Sequence, residues 1–172
     1  MPRLLLDPAP GLAAGSSAHG GLLGIFFNGA FVASFLGFFF AQVAKVFTHH
    51  YVEGVWDTSR LVGSGGMPSS HTAAVVALTT AVGVLRGSSD ALFAACCVFS
   101  LVVMYDASGV RLHAGKQASV LNMIIGELPP EHPVAATSTL LKDTLGHTPL
   151  QVLVGALVGL AVGYVVGVLY LL

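Results

Sequence analysis

Long apolar stretches separated by short polar segments dominate this sequence. Four of them, at residues 21–46, 69–85, 91–105 and 152–172, stand out. A helix needs roughly 20 mainly apolar residues to cross a bilayer, with about 17 as a lower limit. The first and last stretches are each long enough to cross a bilayer. The two middle stretches are shorter, but their position between such spans favours spanning for them too. The pattern predicts an all-α integral membrane helical bundle with about four spanning helices.

The polar segments divide the chain further. Residues 1–20 contain a run of only three leucines rather than the apolar core of a secretory leader, so they predict an N-terminal loop or interfacial arm. Residues 21–172 then form a single membrane domain. Within it, residues 107–126 predict an interfacial helix that the prolines after it interrupt. Residues 137–145 are expected to resume a short helix before Gly146 stops it.

Composition excludes several classes of protein. Apolar residues make up 55% of the chain and charged residues 9%, against about 25% charged residues in soluble domains. The net charge of −1 offers no basic field for nucleic acid. The adjacent His49 and His50 lack the spacing of a metal pair on one helix face. We therefore expect no nucleic-acid partner, no metal and no cofactor, with the lipid bilayer as the surroundings.

The charges also predict an orientation. With four spans, residues 47–68 and 107–149 lie on one side of the membrane and both termini on the other. The first side carries Lys45, Arg60, Arg111, Lys116 and Lys142, and the second carries Arg3 and Arg86. This excess favours a cytoplasmic-type side for the first group. A bacterial inner membrane and an organelle membrane such as a plastid membrane both satisfy the pattern.

The first stretch with chemical potential is GSGGMPSSHTAAVVAL, residues 63–78. Pro68, Ser69 and Ser70 stand where a membrane helix begins, so hydroxyls, free backbone N–H groups and the positive end of the helix dipole converge. Such a helix start favours an anion. His71, in the first turn, could exchange a proton with an anion held there. The alternative interpretation is a well-capped helix after a glycine-rich loop.

The second stretch is MYDASGVRLHAGKQASVLN, residues 104–122. Asp106 closes an apolar span, and an ionisable residue at that place is a functional candidate. Arg111 and Asn122 share one predicted helix face with the small Gly115 and Ala118 between them, a gap against which a phosphate could sit. Alternatively, Asp106 and Arg111 pair with each other and anchor the helix at the interface.

Two more candidates are Lys45, at the end of the first span, and His147, before the last span. Each has an ordinary alternative, as a snorkelling lysine and as a cap or interface residue. The topology predicted from hydropathy nevertheless favours a functional site. It places eight polar or charged residues at span ends on the same side of the membrane: Lys45, Ser69, Ser70, His71, Asp106, Arg111, Lys116 and His147.

The motifs AQVAK, GGMPSSHTA, VMYDASGVR with AGKQASVLN, and LGHTPLQV occur in this order over roughly residues 25 to 160. In this they resemble the divergent branch of the type 2 phosphatidic-acid phosphatase superfamily, often labelled acid phosphatase or vanadium-dependent haloperoxidase related. The resemblance implies an all-helical membrane fold with a phosphate pocket. It implies that Lys45 and Arg111 clamp the phosphate, Ser69 and Ser70 cradle it, and His71 acts as general acid.

This sequence departs from the main superfamily at several motif positions. Gly54 or Val55 stands near the expected first-motif Arg, with Arg60 as a candidate substitute. Val110 precedes Arg111 in place of a Ser. Gln117 replaces the nucleophilic His, and a glutamine cannot form a phosphoenzyme. Two further departures are Leu121 in place of an Asp and Gln151 in place of the branch's usual Glu.

Two functions remain open at this point. The first is a phosphohydrolase acting on a phospholipid or prenyl phosphate, with His71 and His147 as catalytic residues and Asp106, Lys116, Gln117 and Asn122 in support. His147 would supply the nucleophile, or water would attack directly. The second is a non-catalytic membrane subunit that keeps the fold and an anion or lipid-headgroup pocket. A transporter or channel ranks last, because paired discontinuous spans are lacking.

The last span has a distinct packing signal. Gly155, Gly159, Gly163 and Gly167 recur every four residues and form one stripe without side chains. Such a stripe lets another helix approach closely. It predicts packing against the spans beginning at Gly21 or Ser69, or binding to a membrane-protein partner or a second copy of the chain.

Overall fold

The computed structural model describes residues 22–61, 63, 65–137 and 140–172. The predicted arm at residues 1–20 lies outside this part of the chain. The described residues form helices and no strand, which confirms the all-α prediction. The helices are α1 (Gly29–Glu53), α2 (Ser70–Arg86), α3 (Ala91–Ser108), α4 (Val110–Glu127), α5 (Pro133–Thr137) and α6 (Pro149–Leu169), with 3₁₀ turns at Leu22–Phe27 and Thr58–Leu61.

Three helical stretches among the described residues are long and apolar enough to cross a membrane. They are α1, the 37-residue stretch Ala91–Glu127 that contains α3 and α4, and α6. Helix α2 is apolar but has only 17 residues. Large apolar side chains such as Phe35, Leu101 and Val165 are exposed on the outside of the bundle, where lipid would cover them. The chain is therefore an integral membrane protein.

The first helix is shifted along the chain from its predicted span. The side chain of Asn28 accepts hydrogen bonds from the backbone N–H groups of Ala30 and Phe31, so α1 begins at Gly29 rather than at residue 21. It continues past residue 46 to Glu53, where Gly54 adopts a left-handed conformation with φ 73° and donates to the His50 carbonyl. The extra two turns carry Lys45 well inside the helix.

Helix α2 is the centre of the bundle and packs against α1, α3 and α6. The interfaces are built from small residues, including Ala33, Ala73, Ala77 and Ala81, which are fully buried. The glycine stripe of α6 lies against α2: a Cβ added at Gly159 would stand 2.6 Å from the Ala73 carbonyl oxygen. Because glycines leave no side chain between the helices, the two backbones make direct contact.

The segment after α5 differs from its expected structure. Residues 140–148 form no helix, so the prediction of a short helix at residues 137–145 is wrong for residues 140–145, whereas Thr137 is the last residue of α5. Both backbone polar groups of Leu141 bind the Asn122 side chain instead. A backbone that pairs with a side chain in this way cannot also make helical hydrogen bonds. We call residues 141–147 the strap, because they lie along α4.

Candidate functional site

Four helix ends meet at one end of the bundle. The backbone N–H of Ser69, before α2, donates to the carbonyl of Gln151 in the first turn of α6, at 3.0 Å. The backbone N–H of His147 donates to the carbonyl of Ala107 near the end of α3, at 2.9 Å. Lys45, in the last third of α1, reaches the same region. Two helix N-termini, with their positive dipole ends, thus lie beside two chain segments that carry basic side chains.

Lys45 and the two serines form a buried layer under this surface. The Lys45 Nζ atom donates to the Ser70 Oγ atom at 3.1 Å, and both residues are at least 98% buried. Ser69 is fully buried and caps α2: its Oγ accepts from the Thr72 backbone N–H at 3.4 Å and also from the Thr72 hydroxyl at 2.9 Å. A buried ammonium is costly unless polar groups surround it, so this layer is a built feature of the fold. The serine hydroxyls are therefore engaged beneath the surface.

The first of two adjoining cavities has a volume of about 410 Å³, and we call it the histidine cavity. Four polar side chains line it: His71, Asp106, Arg111 and His147. Its remaining wall is largely apolar and includes Val75, Phe99, Val102 and Val103 of α2 and α3. The cavity thus has a polar part that suits an anion and an apolar part that suits a hydrocarbon chain.

The second cavity, of about 570 Å³, contains Lys45, and we call it the lysine cavity. Thr48, His49 and Glu53 of α1 and Gln151 of α6 also line it. The two cavities share Gly65, Leu145 and Gly146 as lining residues. The structure therefore does not gather Lys45, His71 and Arg111 around a single pocket. It places Lys45 in one cavity and the other two residues in its neighbour.

His147 is the most unusual side chain of the site. It is 7% exposed, and its Nε2 atom is buried with no hydrogen-bond partner among the described residues. Burial and the nearby positive charges of Lys45, His71 and Arg111 lower the pKa of His147 to about 4. The imidazole is consequently neutral at physiological pH and able to accept a proton. An unpaired buried polar atom costs about 1–3 kcal/mol, which a ligand reaching it would recover.

The Arg111 Nε atom donates to the Asp106 Oδ2 atom. This is the pairing expected if the two residues anchor the helix at the interface. Both also line the histidine cavity, so the pair anchors the junction of α3 and α4 and faces the site at once. The Arg111 side chain is more than half exposed. Its remaining N–H groups give it the capacity to bind a phosphate while Nε stays paired.

The supporting residues of α4 fall into two groups. Lys116 and Gln117 are exposed and line neither cavity. Asn122 holds the strap, and the small-residue gap beside it is filled by strap backbone: a Cβ on Gly115 would stand 2.7 Å from the carbonyl oxygens of Asp143 and Leu145. The gap expected to receive a phosphate therefore receives the chain itself.

Sequence reasoning missed the wall between the cavities. Gly65 and Gly146 have positive φ angles of 99° and 82° and lie where loop and strap pass between the helices. The sequence marks these two glycines as turn positions. It does not show that they separate two cavities, because no local feature indicates which segments come into contact. Gln151 has a local role: its side chain and that of Thr148 form a capping box at the start of α6. The side chain of Arg60 lies outside the described part of the structure.

The part of the chain that contains these site residues is similar to known proteins. Residues 26–162 match the divergent PAP2 family. The chain is also 39% identical over 142 residues to the protein described as uncharacterized membrane protein YuiD of Bacillus subtilis (strain 168), an alignment that covers 77% of this chain and 90% of that protein. No solved structure matches the chain.

Proposed function

The chain belongs to the divergent PAP2 family, and on that premise we propose that it is a membrane phosphohydrolase acting on lipid phosphates at one membrane surface. The observation that carries the proposal is the histidine cavity, in which His71, Arg111 and His147 share one lining with apolar side chains. Phosphate needs a cation and proton-transfer groups, and a lipid chain needs an apolar wall. A phospholipid or prenyl phosphate requires both in one cavity.

We assign each polar side chain one role. The Arg111 guanidinium binds the phosphate oxygens, and Lys45 adds positive charge from the neighbouring cavity. The neutral His147 accepts a proton from the attacking water as its oxygen bonds to phosphorus. His71 donates a proton to the ester oxygen as the P–O bond to the lipid breaks. Inorganic phosphate and a lipid alcohol result. The proton held by His147 then returns to solvent and His71 takes up a proton from solvent, which restores both imidazoles.

Direct attack by water follows from where Gln117 lies. The main superfamily uses a nucleophilic His at this motif position, whereas Gln117 here is exposed and outside both cavities. His147 offers an imidazole at the cavity from a different segment. We therefore propose that no phosphoenzyme accumulates; capture of a phosphohistidine with ³²P-labelled substrate and alkaline quenching would assign His147 as the nucleophile instead.

The proposal includes a fourth span. Helix α2, with 17 residues, is about 25 Å long at 1.5 Å per residue, a little under the roughly 30 Å of a bilayer core. Its position between α1, α3 and α6 supports a membrane-embedded helix that protein rather than lipid surrounds. Spanning by α2 would keep the ends of α1 and α3 on the same side as the starts of α2 and α6.

A non-catalytic subunit that binds a lipid headgroup is the second candidate. Two observations favour it: the exposed Gln117 in place of a nucleophile, and the engagement of Arg111 by Asp106. In this function the same cavity would bind a phosphate group without turnover. Both candidates thus predict binding, and only the first predicts phosphate release.

The decisive experiment uses the full-length protein in lipid nanodiscs. Phosphate release is measured from phosphatidic acid and from a prenyl monophosphate, with and without vanadate as a phosphate analogue. We expect release that vanadate inhibits and that His71→Ala or His147→Ala lowers roughly 10²–10⁴-fold, the usual worth of general acid–base catalysis. His113→Ala is the matched control, because His113 is exposed on α4 and lines neither cavity.

Each outcome separates the candidates. Vanadate-sensitive release that depends on His71 and His147 but not on His113 supports the phosphohydrolase. Binding of both lipids without release would support the subunit. Release that survives both cavity substitutions would contradict the catalytic assignment.

A further inference from the structure

The strap is attached to α4 by a reciprocal pair of hydrogen bonds. The Asn122 Nδ2 atom donates to the Leu141 carbonyl at 2.8 Å, and the Leu141 backbone N–H donates to the Asn122 Oδ1 atom at 2.9 Å. One side-chain amide thus satisfies both backbone polar groups of a residue 19 positions away. Of the uncharged side chains, only an amide offers a donor and an acceptor in this planar arrangement.

Further along the same face of α4, the strap backbone comes even closer. Gly115 precedes Asn122 by seven residues, so the two share one side of the helix. A Cβ on Gly115 would stand 2.7 Å from each of two strap carbonyl oxygens, and 3.2 Å from the Leu145 nitrogen. At the end of the strap, Gly146 has a φ of 82° and approaches the backbone of Leu112. The strap therefore follows α4 from Asn122 back to Leu112.

The strap ends at the site. Leu145 and Gly146 form part of the wall between the two cavities, and the His147 backbone N–H is bound by the Ala107 carbonyl of α3. One end of the strap is thus held by the Asn122 amide and the other by α3. The polar part of the site depends on where this segment lies, because it carries both the wall and the buried imidazole.

We infer that Asn122 and Gly115 are positioning residues: α4 serves as the seat of the strap, and this seat sets the place of His147 in the histidine cavity. The inference rests on the proposed function for the role of His147, but the seating itself does not. Asn122 and Gly115 touch neither a substrate nor a reacting atom in this scheme. They act through the strap.

Hydrogen exchange of the strap tests the seating without any activity. In the full-length protein in nanodiscs, peptides covering residues 140–147 are compared between wild type, Asn122→Ala and Asn122→Asp. Loss of the Leu141 hydrogen bonds in Asn122→Ala should speed exchange there roughly three- to tenfold, the range of a typical net hydrogen bond. Asn122→Asp keeps an acceptor for the Leu141 N–H and loses the donor, so it should lie between the two.

A glycine pair on the same helix provides an independent test. Gly115→Ala places a methyl group against strap carbonyls, whereas Gly126→Ala meets nothing within 4 Å. Both changes replace a helical glycine with alanine, which has the higher helix propensity, so neither is expected to weaken α4 by itself. We expect faster exchange of residues 140–147 in Gly115→Ala and unchanged exchange in Gly126→Ala. Equal behaviour of the two variants, or wild-type exchange in Asn122→Ala, would overturn the seating.

The pH dependence of phosphate release separates positioning from general damage. Lys45 of α1, His71 of α2 and Arg111 of α4 act on His147 together with its burial, and all lower its pKa. If the strap loosens, burial decreases, so the acid limb of the rate profile should move upward from near pH 4 in Asn122→Ala. A merely destabilised protein would lose amplitude with the limb unmoved, and that result would overturn the positioning role.

The two proposals fail differently. If exchange rises in Asn122→Ala and Gly115→Ala while phosphate release and its pH profile stay as in wild type, the strap is seated by α4 but this seat does not set the place of His147, and the His147→Ala assay decides separately whether His147 is catalytic. If the variants lose release with no change in exchange, the seating inference is wrong and the proposed function stands. Asn122→Asp keeps the test available should Asn122→Ala fail to fold.

Discussion

The two ends of the bundle satisfy their polar groups in different ways. At the end away from the cavities, Asn28 caps the helix that it precedes, and Asp90 caps α3 and pairs with Arg86 at 2.9 Å. All of these partners lie within four residues of each other along the chain. At the cavity end, Lys45 binds Ser70, Ser69 binds Gln151, and Asn122 binds Leu141.

The difference shows where tertiary structure carries the chemistry. Local pairs form whenever the helix forms, so the far end needs only correct helix boundaries. The cavity end has local pairs too, but it also needs α1, α2, α4, α6 and the strap in place together, because each of these three contacts joins segments at least 19 residues apart. We therefore expect substitutions at the far end to affect stability slightly, and substitutions at the cavity end to affect activity strongly.

The largest effect should come from the interface that connects both ends. In Gly159→Leu/Gly163→Leu, new side chains meet the carbonyl oxygens of Ala73 and Ala77, which a bare Cβ would already approach to 2.6 and 2.5 Å. Overpacking costs about 1–3 kcal/mol per site, and backbone cannot move aside as a side chain can. We expect loss of monodisperse protein on size exclusion, or a strongly lowered melting temperature.

Ala161→Leu is the control for that variant, because it introduces the same leucine side chain at an exposed position of the same helix. Its melting temperature should match wild type. A double glycine variant that melts like wild type would mean that α6 and α2 do not pack as described.

The second-largest effect should come from removing a buried cation at the cavity end, Lys45, with the exposed Arg86 of the other end as its control. Lys45→Met keeps the volume and removes the charge that donates to Ser70. Electrostatic stabilisation of a transition state by one group is worth about 10²–10³-fold when the contact is direct. Because Lys45 acts from the neighbouring cavity, we expect a smaller fall in phosphate release, roughly 10- to 100-fold, while the protein remains folded. Arg86→Met should leave release unchanged. Equal activities of the two variants would contradict the contrast between the ends.

Lowering the pH should have a smaller effect, on the stability of the fold. The pKa of His147 is about 4 in the folded protein, against an ordinary value of 6.5. Between these values the unfolded chain binds more protons, so the free energy of unfolding falls as pH falls from 6.5 to about 4. We expect the melting temperature to fall by a few degrees over this interval, and to fall less in His147→Asn, which cannot titrate. Parallel profiles would show that His147 is not buried as described.

The smallest effect should be that of Asp90→Ala. It removes the α3 cap and the pair with Arg86, and losing an N-cap typically costs about 1 kcal/mol. That loss lowers the melting temperature by about 2–4 °C in a protein of this size. Phosphate release should not change, with Ser89→Ala as a control on the same turn. A drop in release would show that the far end communicates with the cavities.

Sequence reasoning located the elements of the site but not their arrangement. Pro68, Ser69 and Ser70 marked the start of α2, since prolines and hydroxyl side chains act on the helix that they precede. The glycine row of α6 could be recognised from its spacing, yet its contact with α2 could not. Gly115 and Asn122 were correctly placed on one face of α4, but the face was assigned to a phosphate. The strap residues that occupy it lie 19 to 30 positions further along the chain and carry no sign of where they fold.

Hydropathy and capping determined the all-helical membrane character of this protein, the end of the bundle at which Lys45, His71, Arg111 and His147 gather, and the approximate bounds of α2, α3 and α6. These depend on interactions within one or two helical turns, which the local sequence contains in full. Only the tertiary structure decided that Lys45 and Arg111 line separate cavities, that Gly65 and Gly146 stand between them, and that His147 is buried and neutral. Those outcomes depend on which distant backbones come into contact, and steric fit among the packed helices selects that.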